Sequence, residues 1–289
     1  MERLSDPRVT MEVIRRHQFT FQKRYGQNFL IDSHVLERIV DASGVGSDDC
    51  AVEIGPGIGT LTQVLSEHAR FVAAVEIDRM LIPVLEDTLK DCPNVAVINQ
   101  DILKTDLKEL AETYNGGRPV RVIANLPYYI TTPILLELLG KNAPIRSITV
   151  MVQKEVADRM CAGPGTKDYG ALSLAVQYYA RTRIAAQVPP NCFIPRPKVP
   201  SAVIHLELYE EKPVRAKDEE QLFALIRASF NQRRKTLVNA VSHAAGLDWT
   251  REELTLALTQ MGLSEKVRGE ALSLEQFAEL SDRLGSVKM

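Results

Sequence analysis

Four consecutive residues, Asn125-Leu126-Pro127-Tyr128, combine groups suited to one reaction, the alkylation of an amine on a planar ring. Such an amine is a poor nucleophile because its lone pair is delocalised into the ring. Two hydrogen-bond acceptors on its hydrogens would draw the nitrogen toward tetrahedral geometry and localise the pair. The Asn125 side-chain oxygen can be one acceptor and the Leu126 backbone carbonyl the other. Pro127 has a restricted φ and no N–H, which helps hold that carbonyl in place. Tyr128 can stack on a base taken out of its helix, a contact worth about 1–3 kcal/mol. Extrusion costs about a few kcal/mol, so stacking offsets much of it. An ordinary strand-to-loop turn is the competing reading of the same four residues.

A methyl donor is suggested upstream. The run Glu53-Ile-Gly55-Pro-Gly57-Ile-Gly59-Thr60 ends an apolar stretch. Glycines at Gly55 and Gly57 allow a tight turn and close approach of backbone to a ligand. The dinucleotide fingerprint would need a third glycine where Thr60 stands. The G-x-G-x-G spacing instead fits class I methyltransferases and S-adenosylmethionine, which has no phosphate to place on a helix N-terminus. Glu76 follows the first glycine by roughly 20 residues, where a ribose-binding acid is expected, with Asp78 as its competitor or a helix cap. Asp101 could accept the adenine amine of the cofactor or cap a turn.

These groups need a scaffold that brings strand ends together. Apolar runs at 51–54, 71–77, 95–99, 121–125 and 147–153 alternate with helical spacing, which predicts a parallel sheet covered on both faces. Asp32 or Ser33 caps a helix over 33–43, and a T-x-x-Q capping box is expected to open the helix at Thr60. Residues 169–180 read as a helix. Residues 184–188 and 201–209 read as strands, the last running antiparallel at the sheet's end. From about Lys212 only helical spacing remains, with capping boxes at Thr250…Glu253 and Ser273…Gln276. The expected fold class is α/β, that of a class I (Rossmann-like) methyltransferase, with a mostly parallel seven-stranded sheet and a small all-helical C-terminal domain. The expected division is a basic N-terminal extension (1–24), a cofactor-binding catalytic domain (25–210) and a helical domain (211–289).

Composition narrows the setting. The 289 residues carry 35 Lys and Arg against 37 Asp and Glu, a net charge of −2. Residues 1–24 nevertheless hold six basic side chains against three acids, and residues 181–200 and 226–241 hold basic side chains and no acid. Such segments are either solvated surface or parts of a phosphate-binding face. The four cysteines, Cys50, Cys92, Cys161 and Cys192, form no C-x-x-C pair and have no histidine cluster beside them, so no metal site is expected. Scattered thiols suit a reducing cytoplasm. No apolar run is long enough to cross a membrane, and no signal segment is expected.

Longer motifs add a resemblance. KRYGQNFL (23–30), VEIGPGIGTLT (52–62), VEID (75–78), QDIL (100–103), NLPYYITTPIL (125–135), VQKEVADRM (152–160), YGALS (169–173), FIPRPKVPSAV (193–203) and FNQRRKTL (230–237) span nearly the whole chain. Over them the chain resembles the bacterial 16S rRNA adenine dimethyltransferases, the KsgA/RsmA family. The resemblance implies dimethylation of two adjacent adenines in the 3′-terminal hairpin loop of 16S rRNA, within an immature 30S subunit, by a cytoplasmic monomer. It also implies that Asn28 and Leu30 join Gly55, Gly57, Glu76, Asp101 and Asn125 around S-adenosylmethionine. Phe193 would be a second aromatic facing Tyr128 across the target base. Lys23, Arg24, Arg196, Lys198, Arg233, Arg234 and Lys235 would contact rRNA. Two alternatives stay open: an erythromycin-resistance type enzyme acting on 23S rRNA, and a factor that keeps the fold but works by binding.

Overall fold

The structure, a computed structural model, describes residues 2–22, 26–140 and 143–286. Helix α1 (Pro7–Arg16) is capped by Asp6, which accepts the Arg8 N–H, and has proline in its first turn. After the short strand β1 (Phe29–Leu30), helix α2 (Ser33–Ser43) is capped by Asp32 and ends at Gly44 in the left-handed conformation. Strands and helices then alternate: β2 (Cys50–Ile54), α3 (Thr60–His68), β3 (Phe71–Glu76), α4 (Ile82–Thr88), β4 (Val95–Asn99), α5 (Leu107–Asn115), β5 (Val120–Asn125), α6 (Thr131–Gly140) and β6 (Ile145–Gln153). Helices α7 (Lys154–Cys161) and α8 (Ala171–Tyr179) lead to β7 (Ala180–Val188), β8 (Phe193–Ile194) and β9 (Ser201–Leu208). Four helices follow: α9 (Glu219–Asn231), α10 (Leu237–Val241), α11 (Arg251–Gln260) and α12 (Leu274–Ser286).

The seven-stranded sheet has the order β4-β3-β2-β5-β6-β9-β7. Strands β4 through β6 of that order are parallel, and β9 is antiparallel to β6. All five residues of β2 are buried, as expected for a strand covered on both faces. Burying each such Val or Ile contributes about 1.5–3 kcal/mol. The chain proceeds outward from β2 to β4 on one side and from β5 to β6 on the other. The strand order therefore reverses between β2 and β5, where open α/β sheets leave a ligand crevice at the carboxyl edge.

Two expectations about these elements are corrected. The antiparallel strand β9 does not close the sheet; it lies between β6 and β7, and its mostly buried residues suit an interior position. Strand β7, with exposed residues along its length, takes the edge. The helix at Thr60 has no T-x-x-Q capping box, because Gly59 is the N-cap, at φ 90°, and Thr60 is already helical. The capping boxes at Thr250/Glu253 and Ser273/Gln276 both form.

The chain divides into two compact units, Met1–Ala157 with Thr182–Leu208, and Asp158–Arg181 with Tyr209–Met289. This departs from the continuous domains expected from sequence. The N-terminal segment is part of the first unit: Leu4, Val13 and Ile14 are buried with Ile58, Leu81, Val84 and Leu85. Its polar groups are also engaged, Leu4 N–H donating to Gln63 Oε1 and Gln63 Nε2 to the Glu2 carbonyl. In the second unit, Tyr169, Leu174 and Tyr178 share a core with Leu222, Leu225, Phe277 and Leu280. The buried Tyr169 hydroxyl donates to the Leu272 carbonyl. That apolar face explains why residues 158–181 belong with the C-terminal helices.

Candidate active site

A cavity of about 1100 Å³, counting its open mouth, lies at the carboxyl ends of β2, β3 and β5. Its lining includes Asn28, Leu30, Gly55, Gly57, Glu76, Asp101, Asn125, Leu126, Pro127 and Tyr128. All the cofactor and tetrad residues expected from sequence therefore come together; among the expected catalytic residues only Phe193 stays out.

The glycine loop follows β2. Gly55 N–H donates to the Val75 carbonyl at 2.9 Å, extending the β2–β3 pairing into the turn. Gly55 and Gly57 have φ of 68° and 62°, where other residues are strained. A Cβ on Gly57 would stand 3.1 Å from the Phe29 ring. At Gly55 no protein atom lies within 4 Å of a Cβ position, so bare backbone meets the cavity there.

Glu76 ends β3, and backbone amides hold it. Asp78 N–H donates to Oε1 at 2.7 Å and Gly57 N–H to Oε2 at 3.3 Å. Each carboxylate oxygen keeps further acceptor capacity, which suits a pair of hydroxyls. Burial pushes the Glu76 carboxyl up to about 7, despite those two N–H groups, which favour the charged form. Asp101 Oδ1 caps the turn at Leu103 N–H, 3.0 Å, and the residue also lines the cavity.

Sequence reasoning passed over Glu53. It is the fourth residue of β2, 1% exposed, and lines the cavity. Its Oε2 has no hydrogen-bond partner among the described residues. Burial pushes its carboxyl up to about 8, and the Glu76 carboxylate adds to the rise. The Thr62 hydroxyl favours the charged form but is not aligned as a hydrogen bond. An acid between Val52 and Ile54 in a wholly buried strand was the available signal.

The tetrad leaves β5 with two of its acceptors free among the described residues. Asn125 Nδ2 donates to the Asn28 carbonyl at 3.0 Å. A carbonyl can only accept, so this bond fixes which end of the amide is nitrogen, and Oδ1 is the end left without a partner among the described residues. The Leu126 N–H is spent on the Met151 carbonyl, 3.2 Å, while the Leu126 carbonyl has no hydrogen bond among the described residues. Leu126 is 1% exposed and lines the cavity, so its carbonyl is a buried acceptor without a partner among the described residues. The Pro127 carbonyl accepts the Thr131 hydroxyl at 3.0 Å and the Ile130 N–H at 3.2 Å, fixing the turn into α6. Tyr128 and the buried Ser201 share a hydroxyl hydrogen bond of 2.7 Å, which restrains the ring. Tyr129, 59% exposed, also lines the cavity and was missed by sequence reasoning; its place in the tetrad's turn was the signal.

Phe193 is not placed opposite Tyr128 across the cavity. It pairs with Leu30 through β8 and β1, is 2% exposed, and packs with Ile39, Met151 and Val203. The apolar core around it, rather than the cavity, takes up its ring. Lys23 and Arg24 lie outside the described residues. Arg196 and Lys198 are exposed in the first unit. In the second unit Arg233 pairs with Glu270 at 2.8 Å, whereas Arg234 and Lys235 are exposed with no ion pair to the described residues.

The groups collected here fit S-adenosylmethionine: bare glycine backbone, a carboxylate with spare acceptor capacity, an unpartnered buried carboxyl oxygen, and two acceptors beside an aromatic ring. Comparison with known proteins agrees. A model described as ribosomal RNA adenine dimethylase matches residues 18–285. The ribosomal RNA small subunit methyltransferase A of Lachnoclostridium phytofermentans is 58% identical over 98% of this chain and 98% of its own. That of Clostridioides difficile is 49% identical, covering 98% of this chain and 97% of its own. A dimethyladenosine transferase structure from Plasmodium falciparum aligns with TM-score 0.72 and 25% identity, over 87% of this chain and 95% of that one. The 23S rRNA methyltransferase ErmE shares the fold with TM-score 0.68 and 24% identity, over 89% of this chain and all of that one. This chain belongs to the ribosomal RNA adenine dimethylase family.

Proposed function

We propose that this protein dimethylates the exocyclic amine of two adjacent adenines in the 3′-terminal hairpin loop of 16S rRNA, acting as a cytoplasmic monomer on an immature 30S subunit. It is an S-adenosylmethionine-dependent rRNA adenine methyltransferase. When bound, the cofactor supplies an electrophilic methyl on a sulfonium, which needs no metal or strong base to accept the amine's electron pair.

The protein's part is positioning and electrostatics. Asn125 Oδ1 and the Leu126 carbonyl accept the two amine hydrogens and localise the lone pair. After the first transfer one hydrogen remains, and one acceptor suffices for the second. Tyr128, held by Ser201, offers its ring to the flipped base. Glu76 and Asp101 accept hydrogen bonds from the cofactor's ribose and adenine, and the Gly55–Gly57 backbone lets it approach. The observation that carries the reading is the pair of acceptors without a partner among the described residues, Asn125 Oδ1 and the Leu126 carbonyl, at the end of β5. Relatives named for the small subunit, 58% identical in one case, favour 16S rRNA over 23S rRNA. No helix of the described residues is long and apolar enough to cross a membrane.

Arg196, Lys198, Arg234 and Lys235 serve as phosphate contacts in this reading, with Arg233 committed in part to Glu270. Mass spectrometry of rRNA from cells lacking the gene tests the assignment. Loss of one dimethyladenine pair from 16S rRNA is expected; an intact pair, or a loss confined to 23S rRNA, would overturn it.

A further inference from the structure

Asp78 follows the cofactor acid by two residues and is 2% exposed. Its N–H donates to Glu76 Oε1 at 2.7 Å, so its backbone serves the cofactor side. Its carboxylate serves something else. Oδ2 accepts Gln27 Nε2 at 2.9 Å, both oxygens accept Gln22 Nε2 at 3.4 Å, and Oδ1 accepts the Met80 N–H at 3.1 Å. Gln27 is engaged at both ends, because its Oε1 accepts the Gln22 N–H at 2.9 Å. A glutamine suits this position since it is at once donor to a carboxylate and acceptor of an amide.

The residue after Gln27 is Asn28, whose carbonyl accepts Asn125 Nδ2 at 3.0 Å. Asn28 is thus held on one side by the Gln27–Asp78 clamp and on the other by β1, where Phe29 and Leu30 pair with Ile194 and Phe193. Its side chain adds a bond from Nδ2 to the Gly26 carbonyl at 3.0 Å. A continuous hydrogen-bonded path therefore runs from Glu76 through Asp78 and Gln27 to the backbone at Asn28, and on to Asn125. It joins residues distant in sequence and connects the two halves of the cavity.

We propose that Gln27 is a positioning residue for methyl transfer: by anchoring the 26–28 backbone to Asp78 it keeps the Asn28 carbonyl on the Asn125 amide, so that Asn125 presents Oδ1, not NH2, to the substrate amine. Without that carbonyl the Asn125 amide is free to turn over. In the turned state it offers two N–H groups to an amine that itself needs acceptors. The step weakened is transfer, while Glu76 and Asp101, which keep their own backbone hydrogen bonds, remain in place for the cofactor. This inference rests on the reading of Asn125 as an amine acceptor.

The test uses the full chain and small ribosomal subunits lacking the modification, with Gln27→Ala, Gln27→Glu and, as reference, Asn125→Ala. Initial rates at saturating subunit and cofactor give kcat, cofactor titration gives KM, and thermal melts report folding. Gln27→Ala is expected to lower kcat about 10- to 100-fold, since small misplacements near the reacting atoms have effects of that order. The cofactor KM should change far less. Gln27→Glu sets a carboxylate against Asp78; its activity relative to the parent should recover as pH is lowered and the pair takes up a shared proton. A normal kcat in Gln27→Ala would overturn the proposal. So would a loss carried by cofactor KM alone, or a loss that tracks a fallen melting temperature with no pH recovery in Gln27→Glu. If Asn125→Ala itself turns over normally, it is the amine-acceptor reading that fails, whatever Gln27 does.

Discussion

The two halves of the cavity are prepared in opposite ways. On the cofactor side, Glu76 is bonded to two backbone amides and Asp101 to one. On the acceptor side, every bond made by Asn125, Leu126 and Pro127 uses a donor or an outlying carbonyl, and Asn125 Oδ1 and the Leu126 carbonyl are kept back. In the proposed reading the cofactor half binds a ligand whose structure is constant, so fixing its carboxylates in advance loses nothing. The acceptor half must spend its acceptors on the transition state, and acceptors already satisfied would have nothing to give. Glu53 is the exception on the cofactor side, a buried carboxyl with an oxygen left over.

The contrast predicts separable defects. Asn125→Ala should cut kcat by about 100- to 1,000-fold, the size expected for one preorganised electrostatic group, while calorimetric cofactor affinity stays within a few-fold. Equal loss of both would dissolve the distinction between the halves. Glu76→Ala should do the reverse. Losing hydrogen bonds to a charged group, about 1.5–3 kcal/mol, corresponds to a rise in cofactor Kd of order tenfold to a hundredfold. Binding of the small subunit, measured by sedimentation, should be largely retained.

A smaller effect concerns pH. Glu53 and Glu76 are pushed up to about 8 and about 7 from the ordinary 4.5, burial being the largest cause for each. The folded chain therefore binds more protons than the unfolded chain between these values. The stability they contribute is complete below the unfolded pKa and is lost as pH rises through about 7 and about 8. Ligand-free protein should melt lower at alkaline than at mildly acidic pH. Glu53→Gln should flatten that dependence and melt higher than the parent above pH 8 or so, about the folded value of Glu53; an unchanged profile would contradict the assignment of a buried proton to Glu53. Smallest is Ser201→Ala, which frees the Tyr128 ring. It should raise KM for the subunit by a few-fold, on the scale of one neutral hydrogen bond of about 1 kcal/mol, and leave cofactor binding unchanged. Comparing subunit titrations of the two proteins checks it.

Sequence made the strands of the parallel sheet legible because each is a near-continuous apolar run, as in Val95–Asn99 and Val120–Asn125. It made Gly55, Gly57, Glu76, Asp101 and the tetrad legible because each lies at or just past the end of one of those strands, whereas Asn28 and Leu30 came only with the resemblance. Lateral neighbours were less so: nothing in Ser201–Leu208 says that it inserts between β6 and β7. Helices α5 and α7 are short and rich in charge, and their apolar spacing is too brief to stand out. The start of α3 was misread because a glycine in the left-handed conformation, and not a hydroxyl, precedes it. Phe193 shows a different limit. An aromatic residue in a proline-rich loop reads alike whether its ring meets a ligand or the core, and only tertiary packing decides. Gln27 and Asn28 act on Asp78 and Asn125 through bonds spanning 51 and 97 residues, which no local pattern records.

The central claim is that this cavity methylates adenine amines of small-subunit rRNA. Purified protein, isotope-labelled S-adenosylmethionine and separated ribosomal subunits lacking the modification test it most directly, with nucleoside mass spectrometry of each rRNA. Labelled dimethyladenosine is expected in 16S rRNA, none in 23S rRNA, and none in either with Asn125→Ala. Label in 23S rRNA alone, or undiminished label with Asn125→Ala, would contradict it.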